Sequence, residues 1–169
     1  MSDAAFEAFV RRYQDLVYGT AVRLLGNPVD AEDVAQTVFL RAFQRFAQVG
    51  TSPAAPGWLK TVTRNECLNH LSRYRNRWQL FGDAPETALA SADSPATQLE
   101  IDDRRRELAA ALARLPDHQR VPLVLFHFDE MGYQEIAATL GVSLAKVKTD
   151  IFRAREALRR YLSEADAAH

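Results

Sequence analysis

The chain has 169 residues, 47% hydrophobic and 25% charged, which is the profile of an ordinary globular protein rather than a disordered or collagen-like one. Its 21 Lys and Arg stand against 22 Asp and Glu, so the summed charge of -1 points by itself to neither a nucleic-acid nor a membrane partner. The one cysteine, Cys67, excludes a disulfide framework, a thiolate metal site and a CxxC redox pair, and fits a reducing cytosol.

The segment from Met1 to Glu7 lacks a basic start followed by an apolar core, and no run of about 18 apolar residues follows anywhere, so a cytoplasmic chain without membrane insertion is expected. Phe6, Phe9, Val10, Tyr13, Leu16, Val17, Thr20, Ala21, Leu24 and Leu25 keep the three-four spacing of a buried helix face, and Gly26-Asn27-Pro28 stops that helix. A second helix is expected from near Asp30 to about Val49. Val34, Val38, Ala42 and Phe46 form its apolar stripe, with Phe39 and Phe43 beside them. Asp30, Glu32 and Asp33 gather at its start, where the helix dipole favours acids. Capping alone accounts for Asp30, but together with Gln36 the three acids also make a patch for a basic partner.

The stretch from Gly50 to Gly57 is too rich in Pro and Gly for a helix interior and reads as a loop. A third helix is expected from Trp58 to about Arg77. Its five basic residues, Lys60, Arg64, Arg73, Arg75 and Arg77, face Glu66 alone, and Trp58, Tyr74 and Trp78 are interleaved with them. Basic charge tracks a phosphate backbone and aromatic faces stack on bases, a combination suited to a partly unpaired strand. For Trp58 and Leu59 a place in the core is expected instead.

Charge is segregated along the chain. Residues 1–78 carry ten Lys/Arg and seven Asp/Glu, residues 79–103 carry six acids and no basic residue, and residues 104–169 carry eleven and nine. The middle segment is rich in Ala, Ser, Asp and Pro and reads as an acidic linker; the alternative is a long loop inside one domain. The fold class expected is all-α, with two small helical domains, 1–78 and 104–169, joined by a flexible tether.

In the second domain, a helix over 104–115 ends at Pro116, and another runs from Asp117 to Phe128, with Pro122 costing it one backbone bond. Tyr133 to Leu140 is a short helix with Ile136, Ala137 and Leu140 facing inward. Gly141-Val142-Ser143 then supplies a left-handed helix end, an apolar corner and a cap for the next helix, the pattern of a helix-turn-helix. At about 100° per residue, Val147, Ile151, Ala154, Leu158 and Leu162 share one sector of the last helix. Ala145, Thr149, Phe152, Arg153 and Glu156 lie opposite, flanked by Lys146 and Lys148. Lys and Arg suit phosphates and guanine edges, and Thr149 and Phe152 suit thymine methyl groups, as in a helix entering the major groove. Otherwise this is an amphipathic helix with solvated charges and Phe152 in an interdomain contact.

Asp30-Ala31-Glu32-Asp33-Val34-Ala35-Gln36-Thr37-Val38-Phe39-Leu40-Arg41-Ala42-Phe43, Trp58-Leu59 with Asn65 and Asn69, Leu115-Pro116, Tyr133-Gln134-Glu135-Ile136-Ala137 and Val147-Lys148 through Phe152-Arg153-Ala154-Arg155 together resemble bacterial sigma factors of the extracytoplasmic-function group. The resemblance spans nearly the whole chain except the linker. It implies two helical domains, region two and region four, that bind core RNA polymerase, recognise promoters and open DNA. It also implies that Asp30, Glu32, Asp33 and Gln36 dock on the β′ clamp helices, and that the β subunit is a further partner. Arg64 and Asn65, with the Gly50–Gly57 loop, would capture a minus-ten base, and Arg73, Arg75 and Arg77 would hold nearby backbone. Lys146, Lys148, Thr149, Phe152 and Arg153 would read the minus-thirty-five element, and an anti-sigma factor would be the regulatory partner. Asp150 departs from the family pattern: an acid there repels phosphate unless it accepts from a cytosine amino group or pairs with Lys146.

Three other classes compete. An enzyme is disfavoured because His70, His118, His127 and His169 are scattered and neither a Walker loop nor a GxSxG elbow occurs, so no catalytic residue, metal or cofactor is expected. A dimeric promoter-binding regulator leaves the acidic and basic-aromatic helices of the first domain unused. A protein-only adaptor leaves Phe152 and its basic neighbours unexplained.

Overall fold

A computed structural model of the chain describes residues 3–72 and 103–167, and all regular structure among them is helical. The chain divides into two compact units, Met1–Arg73 and Tyr74–His169. The expected linker from Gln79 onward and the expected helical end carrying Arg73, Arg75 and Arg77 lie outside the described residues. Asp103, read from the sequence as the last linker residue, instead opens a helix.

In the first unit, α1 (Asp3–Leu25) buries Phe9, Val17, Thr20, Ala21, Leu24 and Leu25. It stops where Gly26 takes φ 65°, a left-handed turn that costs a residue without a Cβ little, and the Gly26 N–H donates to the Val22 carbonyl at 2.8 Å. Helix α2 (Pro28–Gln44) begins two residues before the expected start. Its cap is Asn27, whose side-chain oxygen accepts from the backbone N–H groups of Val29 and Asp30 at 2.9 and 3.2 Å. Asp30 therefore does not cap; it sits in the first turn, where its charge meets the dipole.

The expected single helix to Val49 breaks at Arg45, whose φ and ψ of -116° and 22° separate α2 from the short α3 (Phe46–Val49). Helix α4 (Ala55–Ser72) starts three residues before Trp58 and absorbs Pro56 and Gly57. Proline is tolerated there because the first-turn N–H groups have no helical acceptor. Ala55, Leu59, Thr63, Cys67 and Leu71 recur every fourth residue to make its buried column, packed on α1 and α2. The Thr63 hydroxyl donates to the Leu59 carbonyl at 2.6 Å, which satisfies a polar group inside the core. Leu59 is buried as expected, while Trp58 is only half-buried.

In the second unit, α5 (Asp103–Arg114), α6 (Asp117–His127) and α7 (Tyr133–Leu140) all pack on the long α8 (Leu144–Ala167). Pro122 is the sixth residue of α6, past the first turn, and removes one backbone donor there. The helix holds because Val121 to Leu125 are all buried. At its start, the buried Arg120 guanidinium donates to the Leu115 carbonyl at 2.6 Å and pairs with Asp117. Burial lowers the Arg120 pKa and Asp117 opposes that shift, so the pair keeps an interior charge matched.

Candidate nucleic-acid interface

Helices α7 and α8 are joined by a turn whose chemistry follows from three residues. Gly141 takes φ 70°, and its N–H and that of Val142 both donate to the Ala137 carbonyl, at 2.9 and 3.1 Å. The Ser143 hydroxyl accepts from the Lys146 N–H at 3.1 Å and caps α8. Ile136, Ala137 and Leu140 of α7 are buried, and Val147, Ile151, Ala154 and Ala157 of α8 face them and α6. The inward sector thus passes through Ala157, while Leu158 and Leu162, expected in the core, are half-buried.

The opposite face of α8 exposes Ala145, Thr149, Phe152, Arg153 and Glu156. Phe152 is 63% exposed, a large ring held in water among cations. Lys148 is also exposed, so Lys148, Thr149, Phe152 and Arg153 come together on one outward surface. Lys146 is different. Its ammonium group lies 2.8 Å from the Asp150 carboxylate, and Asp150 is itself buried. Asp150 is thus withdrawn from the outward face and covered by a cation, which answers the repulsion expected of an acid beside phosphates.

The first unit presents a second surface. Val34, Val38, Ala42 and Ala31 of α2 face inward, and directly opposite them run Val29, Asp33, Gln36, Leu40 and Phe43. Their spacing alternates four and three, the repeat by which a helix presents a straight seam to another helix. Val29, Leu40 and Phe43 are 67%, 60% and 40% exposed, and the remaining large exposed apolar residue of the described chain is Phe152. The sequence reading does not single out these three as an exposed row. The signal was available, because apolar residues opposite a complete core stripe must face out.

The seam borders an open groove of about 500 Å³ between α1 and α2, lined by Phe6, Val10 and Tyr18 from one and Glu32, Gln36, Phe39 and the seam residues Leu40 and Phe43 from the other. Glu32, Asp33 and Gln36 are exposed around this surface. Asp30 is turned away toward α4, its carboxylate 3.5 Å from the His70 ring. On α4, Asn65 is exposed and Arg64 half-buried, while Glu66, the expected lone acid, is taken up by Arg41 of α2 at 2.6 Å.

Comparison with known proteins gives the family. Sigma-70 region 2 matches residues 9–77 and Sigma-70 region 4 matches residues 105–158. The RNA polymerase sigma-E factor of Streptomyces avermitilis is 32% identical over 165 residues, covering 95% of this chain and 87% of that protein. The chain belongs to the extracytoplasmic-function group of the sigma-70 family. The sigma factor SigE of Mycolicibacterium smegmatis is 36% identical over 162 residues, and there the match spans 95% of this chain but only 62% of SigE. A solved structure of the sigma factor RpoE from Bartonella quintana, in complex with the anti-sigma factor NepR, shares the fold with a TM-score of 0.52 and 24% identity, over 94% of this sigma-family chain and 96% of RpoE. Among the described residues, no helix is long and apolar enough to cross a membrane.

Proposed function

We propose that this chain is a working sigma factor: it binds core RNA polymerase and directs promoter-specific initiation, without catalytic chemistry of its own, in the cytoplasm. Residues 1–78 act as region two, residues 79–103 as an acidic tether and residues 104–169 as region four. The observation that carries the reading is the division of exposed apolar side chains. A seam of Val29, Leu40 and Phe43 edged by Asp33 and Gln36 fits a coiled coil with basic flanks, whereas Phe152, alone among cations, fits a DNA groove.

On this reading Glu32, Asp33 and Gln36, with Asp30 at the margin, dock on the β′ clamp helices, and region four sits on the β subunit. Lys148, Thr149, Phe152 and Arg153 read the minus-thirty-five element, with Lys146 held back by Asp150. Arg64 and Asn65 of α4 take a minus-ten base out of the stack, at a cost of a few kcal/mol that protein contacts offset. Arg73, Arg75 and Arg77 hold the adjacent backbone. An anti-sigma factor covers one of these surfaces in the inactive state, a reading supported by a protein of the same fold having been solved in complex with the anti-sigma factor NepR. Reconstituted transcription tests the whole proposal: core polymerase with this chain initiates at discrete sites on genomic DNA, and initiation no different from core polymerase alone rejects it.

A further inference from the structure

Along the flank of α8 that faces α6 and α7, a row of side chains borders the reading face and shares Lys148 with it. The rings of Phe126 and Tyr133 stack with centroids 4.8 Å apart and planes 14° apart. The Arg155 guanidinium lies 5.5 Å from the Phe126 centroid, and the Lys148 ammonium lies 6.0 Å from that of Tyr133. Lys148 and Arg155 are seven residues apart, so they share one side of α8 about two turns from each other. The aromatic pair therefore holds two cations in line along the edge of the proposed DNA surface, each over a ring face that attracts positive charge.

Arg155 has a second hold. Its Nε donates to His127 Nε2 at 3.2 Å, and its Nη2 lies 3.1 Å from the same nitrogen. Guanidinium nitrogens only donate, so His127 Nε2 must carry a lone pair and the ring must be neutral. Partial burial and, after it, the Arg155 charge hold the His127 pKa below the ordinary histidine value. From α8 the charged group facing His127 is Arg155. From α7, Tyr133 lies beyond Phe126 and Glu135 is in the first turn, and Asp129 and Glu130 follow in the turn after α6.

We propose that Arg155 is a further phosphate-binding residue of the upstream DNA interface, and that His127 is its positioning residue, parking the guanidinium against Phe126 until a phosphate takes it. This rests on the reading of α8 as the DNA-facing helix. A phosphate on Arg155 screens the charge that opposes protonation and frees the His127 lone pair, so duplex binding takes up a proton there. The sign follows from linkage: the His127 pKa is lower in the free protein than in the complex, so affinity rises as pH falls through the interval between the two values. A rise of about half a pKa unit on binding corresponds to about threefold in affinity.

The test uses the full chain and a duplex of arbitrary sequence at low salt, with binding followed by anisotropy across pH and the His127 ring signal followed by NMR. Wild type is expected to gain about threefold in affinity on acidification relative to His127→Gln, with the ring pKa rising when duplex is added. Arg155→Gln is expected to weaken binding about threefold at neutral pH and to abolish the pH increment. His127→Glu, a permanent carboxylate partner for Arg155, is expected to weaken binding with no pH increment. The inference is overturned if His127→Gln keeps the wild-type pH profile, or if Arg155→Gln leaves affinity unchanged while Arg153→Ala lowers it. If Arg153→Ala also leaves affinity unchanged, the reading of α8 falls and takes this inference with it.

Discussion

On α2 the acids Glu32 and Asp33 stand exposed around a seam of Val29, Leu40 and Phe43, whereas on α8 Asp150 is buried and covered by Lys146, leaving one exposed ring among cations. Both helices are amphipathic, and both break the rule that the outward face is polar. They break it differently, and on the proposed function the difference separates the two partners. A row of apolar side chains with acids beside it is complementary to another helix carrying basic residues. A single ring between Thr149 and Arg153 is complementary to the mixed apolar and acceptor edges of base pairs, with phosphates alongside.

The contrast can be broken from either side. The largest effect is expected from Arg120→Ala, which leaves Asp117 and the Leu115 carbonyl without their buried cation and costs the second unit about 3 kcal/mol in chemical denaturation. Core polymerase binding through α2 should survive it; loss of both would show that the two surfaces are not separable. Next, Leu40→Asp places a charge in the seam and is expected to weaken core polymerase binding by about 2 kcal/mol, roughly 30-fold, with duplex binding unchanged. Phe152→Ala should do the converse, costing about 1 to 2 kcal/mol of discrimination at the upstream element in competition binding, with no loss of helicity. Smallest is Asp150→Asn. Because the acid is covered, duplex affinity should rise by less than about 1 kcal/mol, and thermal stability should fall by a comparable amount. A large gain in affinity would place the carboxylate against phosphate after all.

Local chemistry was the part of the structure most legible in the sequence. The left-handed Gly141, the Ser143 cap and the inward Ile136, Ala137 and Leu140 are each fixed within a few residues, so the helix-turn-helix is legible in the sequence. Three features depended on something farther away. Ala55-Pro56-Gly57 read as loop because Pro and Gly are poor in helix interiors, yet the first turn of α4 needs no N–H from Pro56. The break at Arg45 was hidden because apolar residues continue through it into α3. Asp150, for which the sequence allows either a cytosine contact or a pairing with Lys146, takes the second. It falls beside the core sector of α8 rather than opposite it, and only the neighbouring helices and the Lys146 side chain decide whether an acid there meets water or is covered. The α2 seam lay in between: its residues were visible, but the stripe Val34, Val38, Ala42 had to be recognised as complete before Leu40 and Phe43 could be assigned outward.

The most direct test is a footprint of core polymerase plus this chain on a promoter at which the mixture initiates. Two protected elements are predicted, upstream and at the melted start region, and Phe152→Ala or Arg153→Ala should remove the upstream one while Leu40→Asp removes both. Protection at a single element, or the same footprint from the chain without polymerase, would contradict the account.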